Sequence, residues 1–217
     1  VEISTMLGML MRGYGVSLQI FFVTLLGALP LGVILALGRL SRFKPLSGLV
    51  ALYISVMRGT PLMLQMFAVF FAPFYIFGIR TGSGYMYTAV MISFVLNYAA
   101  YFAEIYRSGI QSMPRGQYEA AEVLGYSAPQ TFFHVILPQV VKRILPAMGN
   151  EVVTLVKDTS LAFSIGLAEM FTQSRALVAS QRSMVPFALA ALIYWITCLV
   201  IEFLLRRAER RLSYYHD

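Results

Sequence analysis

Apolar residues in this chain come in long unbroken runs rather than at the spacing of an amphipathic strand or helix. Residues 16–37 carry no charged side chain. A bilayer core of about 30 Å needs roughly 20 apolar residues of helix, so this run predicts a first membrane span. Residues 49–77 predict a second, interrupted by Arg58-Gly59-Thr60-Pro61, and the charge-free residues 81–103 a third. A fourth begins near Ile144 but is interrupted by Glu151, Lys157 and Asp158, and residues 183–201, again without charge, predict a fifth. Between the third and fourth lies a polar, helix-competent island at residues 117–138. The expectation is an all-α membrane protein with five transmembrane helices. It forms one domain over residues 1–217, with a polar loop at about 108–138. No internal repeat divides it.

Composition supports lipid as the solvent. Of the 217 residues, 59% are hydrophobic and 12% charged, against about 25% charged in a soluble domain. The single cysteine, Cys198, excludes an intrachain disulfide and a cysteine metal site, and its apolar surroundings suit a small packing residue. His134 lies in the polar island and His216 in the tail, so the chain cannot supply two membrane-embedded haem ligands. No Gly-Lys pair occurs, so there is no phosphate-binding P-loop. Nor does any nucleophile–base–metal constellation appear, and the chain is expected not to be an enzyme. No cleavable-signal pattern opens it.

The basic residues set the orientation. Arg39, Arg42 and Lys44 follow the first span, Arg107, Arg115, Lys142 and Arg143 the third, and Arg206, Arg207, Arg210 and Arg211 the fifth. These eleven fall on one side, and Arg12, Arg80, Arg175 and Arg182 on the other. The N-terminus is expected outside, with the polar island and the C-terminus in the cytoplasm. Beside a span, the arginine run of the tail reads as a topology signal at an anionic lipid surface and not as a nucleic-acid site. Tyr75, Tyr85, Tyr87, Tyr214 and Tyr215 lie near span ends and suit interfacial anchoring.

Within the polar island, Ser112 is placed to cap and Pro114 to begin a turn leading into a helix that contains Glu119, Ala120, Ala121 and Glu122. Gly125 suits a left-handed helix end. A second short helix is expected to follow, capped by Ser127 with Pro129 in its first turn, and Phe132, Phe133 and Ile136 form an apolar stripe. Two readings stay open on spacing alone. The helix lies on the membrane, or its small residues Ala120 and Ala121 dock into a protein groove.

Within the spans, Gly59 and Pro61 break a helix at membrane depth, because Pro61 removes a backbone donor and crowds the carbonyl of Met57. Such a break is tolerated only beside protein or a polar cavity. Arg58 needs a partner there, and Glu104 and Asp158 are the candidates. Asn97, Tyr101 and Glu104 share one face of the third span. Glu151, Thr154 and Asp158 share a face of the fourth, with Asn150 beside it. Both faces point to a pathway or to a dimer partner, or they act as interhelical polar glue. Lys157 is expected to neutralise a nearby carboxylate. Met63, Met66, Phe67 and Phe70 read as core.

Several segments resemble one known family. Glu119-Ala120-Ala121, Gly125 and Ile136-Leu137-Pro138 resemble the "EAA" loop of ABC-importer permeases. Arg58-Gly59-Thr60-Pro61-Leu62 with Gln65 resembles a segment of the polar amino-acid importer permeases. So does Ala100-Tyr101 with Glu104, Arg107, Gly109 and Ile110, although many members carry glycine where this chain has Ser108. Asn150 followed by Lys157-Asp158-Thr159-Ser160-Leu161 is a fourth match. The four occur in the family's order and cover residues 49–167. The resemblance implies a type I ABC-importer permease fold with a cytoplasmic coupling helix, in a bacterial inner (plasma) membrane. It implies a dimer with a second copy or a paralogue around a pathway for polar amino acids. Two ABC ATPase subunits carrying ATP and Mg would dock on the loop, and an extracytoplasmic solute-binding protein would deliver substrate. Coupling would fall to Glu119, Ala120, Ala121, Gly125 and Tyr126. The pathway would fall to Arg58, Thr60, Gln65, Asn97, Tyr101, Glu104, Glu151, Thr154 and Asp158, with no metal ligand among them. The excess of acids on the fourth span points to a basic amino acid. The rivals are a gradient-driven secondary transporter or channel without an ATPase, and a membrane subunit of a redox complex. The polar loop and the lack of repeated halves argue against the first, and the missing haem ligands against the second.

Overall fold

A computed structural model describes residues 3–82 and 84–212. Tyr214, Tyr215 and His216 lie outside the described residues. Every regular element among the described residues is helical: α1 (Ile3–Leu40), α2 (Lys44–Gly59), α3 (Leu62–Phe77), α4 (Tyr85–Gln111), α5 (Arg115–Val123), α6 (Ala128–Gln130), a π-helical segment (Thr131–Ile136), α7 (Leu137–Asp158), a 3-10 segment (Thr159–Ile165), α8 (Met170–Gln181) and α9 (Val185–Leu212).

The apolar run of α4 sits at the centre, packed against α1, α2, α3 and α7. Its side chains Phe94, Tyr98 and Phe102 recur every fourth residue and are buried. Lipid tails are as apolar as these side chains, so close packing rather than water exclusion holds such helices together. Small residues make the close approach possible. Ala28, Gly32 and Ala36 of α1 are buried one turn apart, and Gly32 lies so near α4 that an added Cβ would stand 2.9 Å from the Cβ of Phe102. The expected core residues also pack here, with Met66 fully buried and Met63, Phe67 and Phe70 against the same cluster.

Three helices, α1, α4 and α9, are long and apolar enough to cross a membrane. The α2–α3 pair passes the same test together, but the two are bent by 109°. The interruption expected at Gly59–Pro61 is therefore a sharp change of direction, not a kink in one rod. α7 has the length, at 22 residues, but carries Lys142, Arg143, Glu151, Lys157 and Asp158, more charge than a lipid-facing span tolerates. By length and composition, three or four spans are seen where five are expected. α9 leaves Trp195, Leu199 and Phe203 exposed, the surface a lipid-facing helix presents.

Candidate functional site

The break after α2 is built from the backbone outward. Pro61 has no amide hydrogen, so the Met57 carbonyl loses its helical partner. Side chains replace it. Asn97 Nδ2 donates to Met57 O at 3.0 Å, and Gln65 Nε2 donates to the same oxygen at 3.0 Å. Gln65 Nε2 also lies 2.7 Å from Thr60 Oγ1 and 3.1 Å from Thr60 O, while the Thr60 hydroxyl donates to Val56 O at 2.8 Å. Asn97 Nδ2 donates in turn to Gln65 Oε1 at 3.0 Å. Both amide protons of buried Asn97 are thus committed to holding the break open.

Beside this break lies a cleft of about 520 Å³, formed by the ends of α2 and α7, the face of α4 and the first turn of α3. It brings together seven of the nine residues expected along the pathway: Arg58, Thr60, Asn97, Tyr101, Glu151, Thr154 and Asp158. Gln65 stands behind it as support. Glu104 is outside its lining and is paired with Arg107 on the next turn of α4. Tyr98, missed in the sequence, also lines the cleft and donates its hydroxyl to Asp158 Oδ2 at 2.7 Å. Its position beside Asn97 gave only a core signal.

Arg58 pairs with neither expected carboxylate. The chain turns away at Gly59, and the exposed guanidinium comes to rest 5.3 Å from the centre of the Tyr101 ring, a cation–π arrangement. Glu104 is taken by Arg107, and Asp158 by Tyr98. Lys157 lines grooves shared with Glu202 of α9, and its charge also acts on Asp158 beside it. The cleft therefore holds one guanidinium against two carboxylates. That set can take an amine and a carboxylate at once, with a surplus for a second amine.

At the other end of the molecule, α5 closes in a hydrogen-bonded turn. Tyr126 N donates to Ala121 O at 3.0 Å and Gly125 N to Glu122 O at 2.9 Å, with Gly125 at φ +79°, as a left-handed helix end requires. Ser127 then forms the expected cap, its amide donating to Gln130 Oε1 at 2.9 Å and its hydroxyl accepting from Gln130 N at 3.5 Å. Ser112 does not cap α5. It closes α4, donating to Gly109 O at 2.7 Å, and Pro114 takes the position before α5. No separate second helix forms, because α6 runs through the π-helical segment into α7.

Glu119, Ala120, Gly125 and Tyr126 are exposed, whereas Ala121 is buried. Neighbouring positions on a helix cannot share a face, so the two alanines do not form one docking surface. The exposed apolar surface comes instead from Val123, 87% exposed, and Leu124, 76% exposed. The sequence reading missed this pair, whose only signal was two large apolar residues in a polar island. Ile136 and Val140 pack beneath with Met113.

The family described as "Binding-protein-dependent transport system inner membrane component" matches residues 28–214. The L-cystine transport system permease protein TcyB of Bacillus subtilis is 38% identical over 187 residues, 85% of this chain and 78% of that protein. The arginine transport system permease protein ArtQ of the same organism is 34% identical, covering 94% of this chain and 92% of its own length. The glutamine transport system permease protein GlnP of Escherichia coli K12 is 34% identical, covering 94% and 93%. Among solved structures, an amino acid ABC transporter crystallised with histidines superposes with a TM-score of 0.86 at 32% identity, covering 97% of this chain and 99% of that one. The MetNI methionine ABC transporter in an inward-facing form shares the fold, with a TM-score of 0.72 at 18% identity, covering 98% of this chain and 100% of that one.

Proposed function

The chain belongs to the family of binding-protein-dependent transport system inner membrane components, and from that premise we propose how it works as the permease subunit of an amino-acid ABC importer. The observation that carries the reading is the convergence of Arg58, Glu151 and Asp158 on one cleft beside a broken helix. Half-helix ends and polar groups at membrane depth mark substrate sites in transporters. Here the α-carboxylate of an amino acid meets Arg58 and Thr60, displacing the guanidinium from Tyr101. The α-amine meets Glu151 or Asp158, and the remaining carboxylate favours a side chain that is itself cationic.

The layout follows from the same premise. One domain, residues 1–217, crosses the membrane five times, through α1, the α2–α3 pair, α4, α7 and α9, with α7 shielded from lipid by the pathway. The N-terminus is outside and the C-terminus in the cytoplasm. A second copy or a close paralogue completes the pathway, so that the polar face of α7 meets water and protein. Two ATPase subunits dock against Glu119, Ala120, Tyr126, Val123 and Leu124, with Ala121 and Gly125 shaping the turn. ATP and Mg²⁺ are bound there rather than by this chain. An extracytoplasmic binding protein delivers the substrate. ATP-driven closure of the ATPases moves α5, and that motion opens and closes the cleft.

The test is ATP hydrolysis and uptake by the complex that co-purifies with this chain, reconstituted in lipid with its binding protein and challenged with a panel of amino acids. Stimulation by one chemical group is expected, and restriction to cationic amino acids supports Glu151 and Asp158 as ligands. If no ATPase co-purifies, or if a proton gradient alone drives uptake, the reading is overturned.

A further inference from the structure

Behind the cleft lies a second acidic centre that the sequence did not reveal. Glu169 is fully buried. Its Oε1 accepts from Thr172 N at 2.6 Å and from Thr172 Oγ1 at 2.9 Å. Its Oε2 accepts from Phe171 N at 2.7 Å, from the Tyr194 hydroxyl of α9 at 3.3 Å and from Ser17 Oγ of α1 at 3.5 Å. One carboxylate thus joins three helices. The α1 backbone presses on the same point, since a Cβ on Gly13 would stand 2.8 Å from Met170 Cα.

The centre reaches toward the cleft through Tyr194. Its ring packs against the buried cluster that holds Val156 and Ala162 on either side of Thr159 in the chain, and Ser17, Thr159 and Tyr194 border one small void of about 10 Å³, too small for more than a single water. Thr159 is buried and follows Asp158 directly. Asp158 faces the cleft, while Thr159 faces this network. The 3-10 segment that begins at Thr159 leads on to Glu169 itself.

We propose that Glu169 is a positioning residue of the transport cycle: through Tyr194 and Thr159 it sets where Asp158 stands in the cleft, without touching substrate. The proposal rests on the reading of the cleft as the substrate pathway. Capping α8 is a separate duty, carried by the contacts to Phe171 and Thr172. Aspartate performs that duty well but is one methylene too short to keep Tyr194 in reach. Tyr194→Phe removes the same bridge while leaving the cap untouched.

The experiment compares wild type, Glu169→Asp, Tyr194→Phe and the double variant in the reconstituted complex. The readout is amino acid transported per ATP hydrolysed, a ratio from which the amount of folded complex cancels. Each single variant is expected to lower the ratio roughly threefold to tenfold, the weight of one hydrogen bond. The double variant should fall no further, because both changes cut one link. A wild-type ratio in Tyr194→Phe overturns the proposal, even if yield falls, and so do losses that multiply independently. Wild-type complex that hydrolyses ATP but moves no amino acid overturns the functional reading beneath it.

Discussion

Tyr98 of α4 donates a hydrogen bond to Asp158 at the last residue of α7, 2.7 Å away and 60 positions along the chain. The ring is buried and stacks on Phe94 at 6.3 Å, so the hydroxyl has little freedom to leave. Asp158 is thereby aimed at the cleft from one side.

Tyr98→Phe keeps the ring and deletes the bond. Hydrogen bonds to charged groups are worth about 1.5–3 kcal/mol, so Asp158 should wander and the complex lose stability in that range. Uptake per complex should drop at least several-fold while basal ATP hydrolysis persists. Paired uptake and hydrolysis assays check this, and unchanged uptake would remove Asp158 from the pathway.

Gln65→Leu attacks the support of the break. Met57 O keeps only Asn97, and Asn97 loses its acceptor on Gln65. Unsatisfied buried polar groups cost about 1–3 kcal/mol each, so thermal unfolding of the purified complex should begin at a clearly lower temperature. Gln65→Glu restores the acceptor but not the donor, and should recover part of the loss.

Gly125→Asp places a side chain at φ +79°, which costs about 1–2 kcal/mol and adds a charge beside Leu124. The complex should assemble, but substrate should no longer stimulate hydrolysis. Near-wild-type uptake would argue that the turn does not meet the ATPase.

Gly32→Val drives a branched side chain into Phe102, Tyr106 and the backbone of Ala103, where a Cβ alone would stand 2.9–3.3 Å from each. Overpacking of this kind costs about 1–3 kcal/mol, read as lower yield and a lower unfolding temperature. Gly8→Ala and Gly48→Ala, where a Cβ meets nothing within 4 Å, should be silent.

The legible parts of this molecule were those that depend on neighbours in sequence. The break at Pro61, the left-handed Gly125 and the cap at Ser127 each follow from one residue's backbone chemistry. The shared faces of α4 and α7 follow from helical spacing, which brought Asn97, Tyr101, Glu151, Thr154 and Asp158 to one cleft. What stayed hidden depends on direction and distance. The angle between α2 and α3 is set by tertiary packing, so the ring that receives Arg58 was not readable. Ser17 and Glu169 stand 152 positions apart, and nothing local to either one announces the other. Ser112 carried a valid capping signal, but Pro114 let the preceding helix claim it.

The helical run from Ala128 through the π-helical segment to Asp158 has no loop in it. At about 1.5 Å per residue, it is a strut of about 45 Å between the exposed turn and the cleft. A strut has no slack: a shove at Ser127 must arrive at Asp158 or be lost as bending. The soft joints available for that bend are Pro138, where the π-helical segment passes into α7, and Pro146, inside α7; each proline lacks the amide hydrogen for one rung of the hydrogen-bond ladder. Stiffening or loosening either joint would tune how much of a push at the exposed turn reaches the cleft.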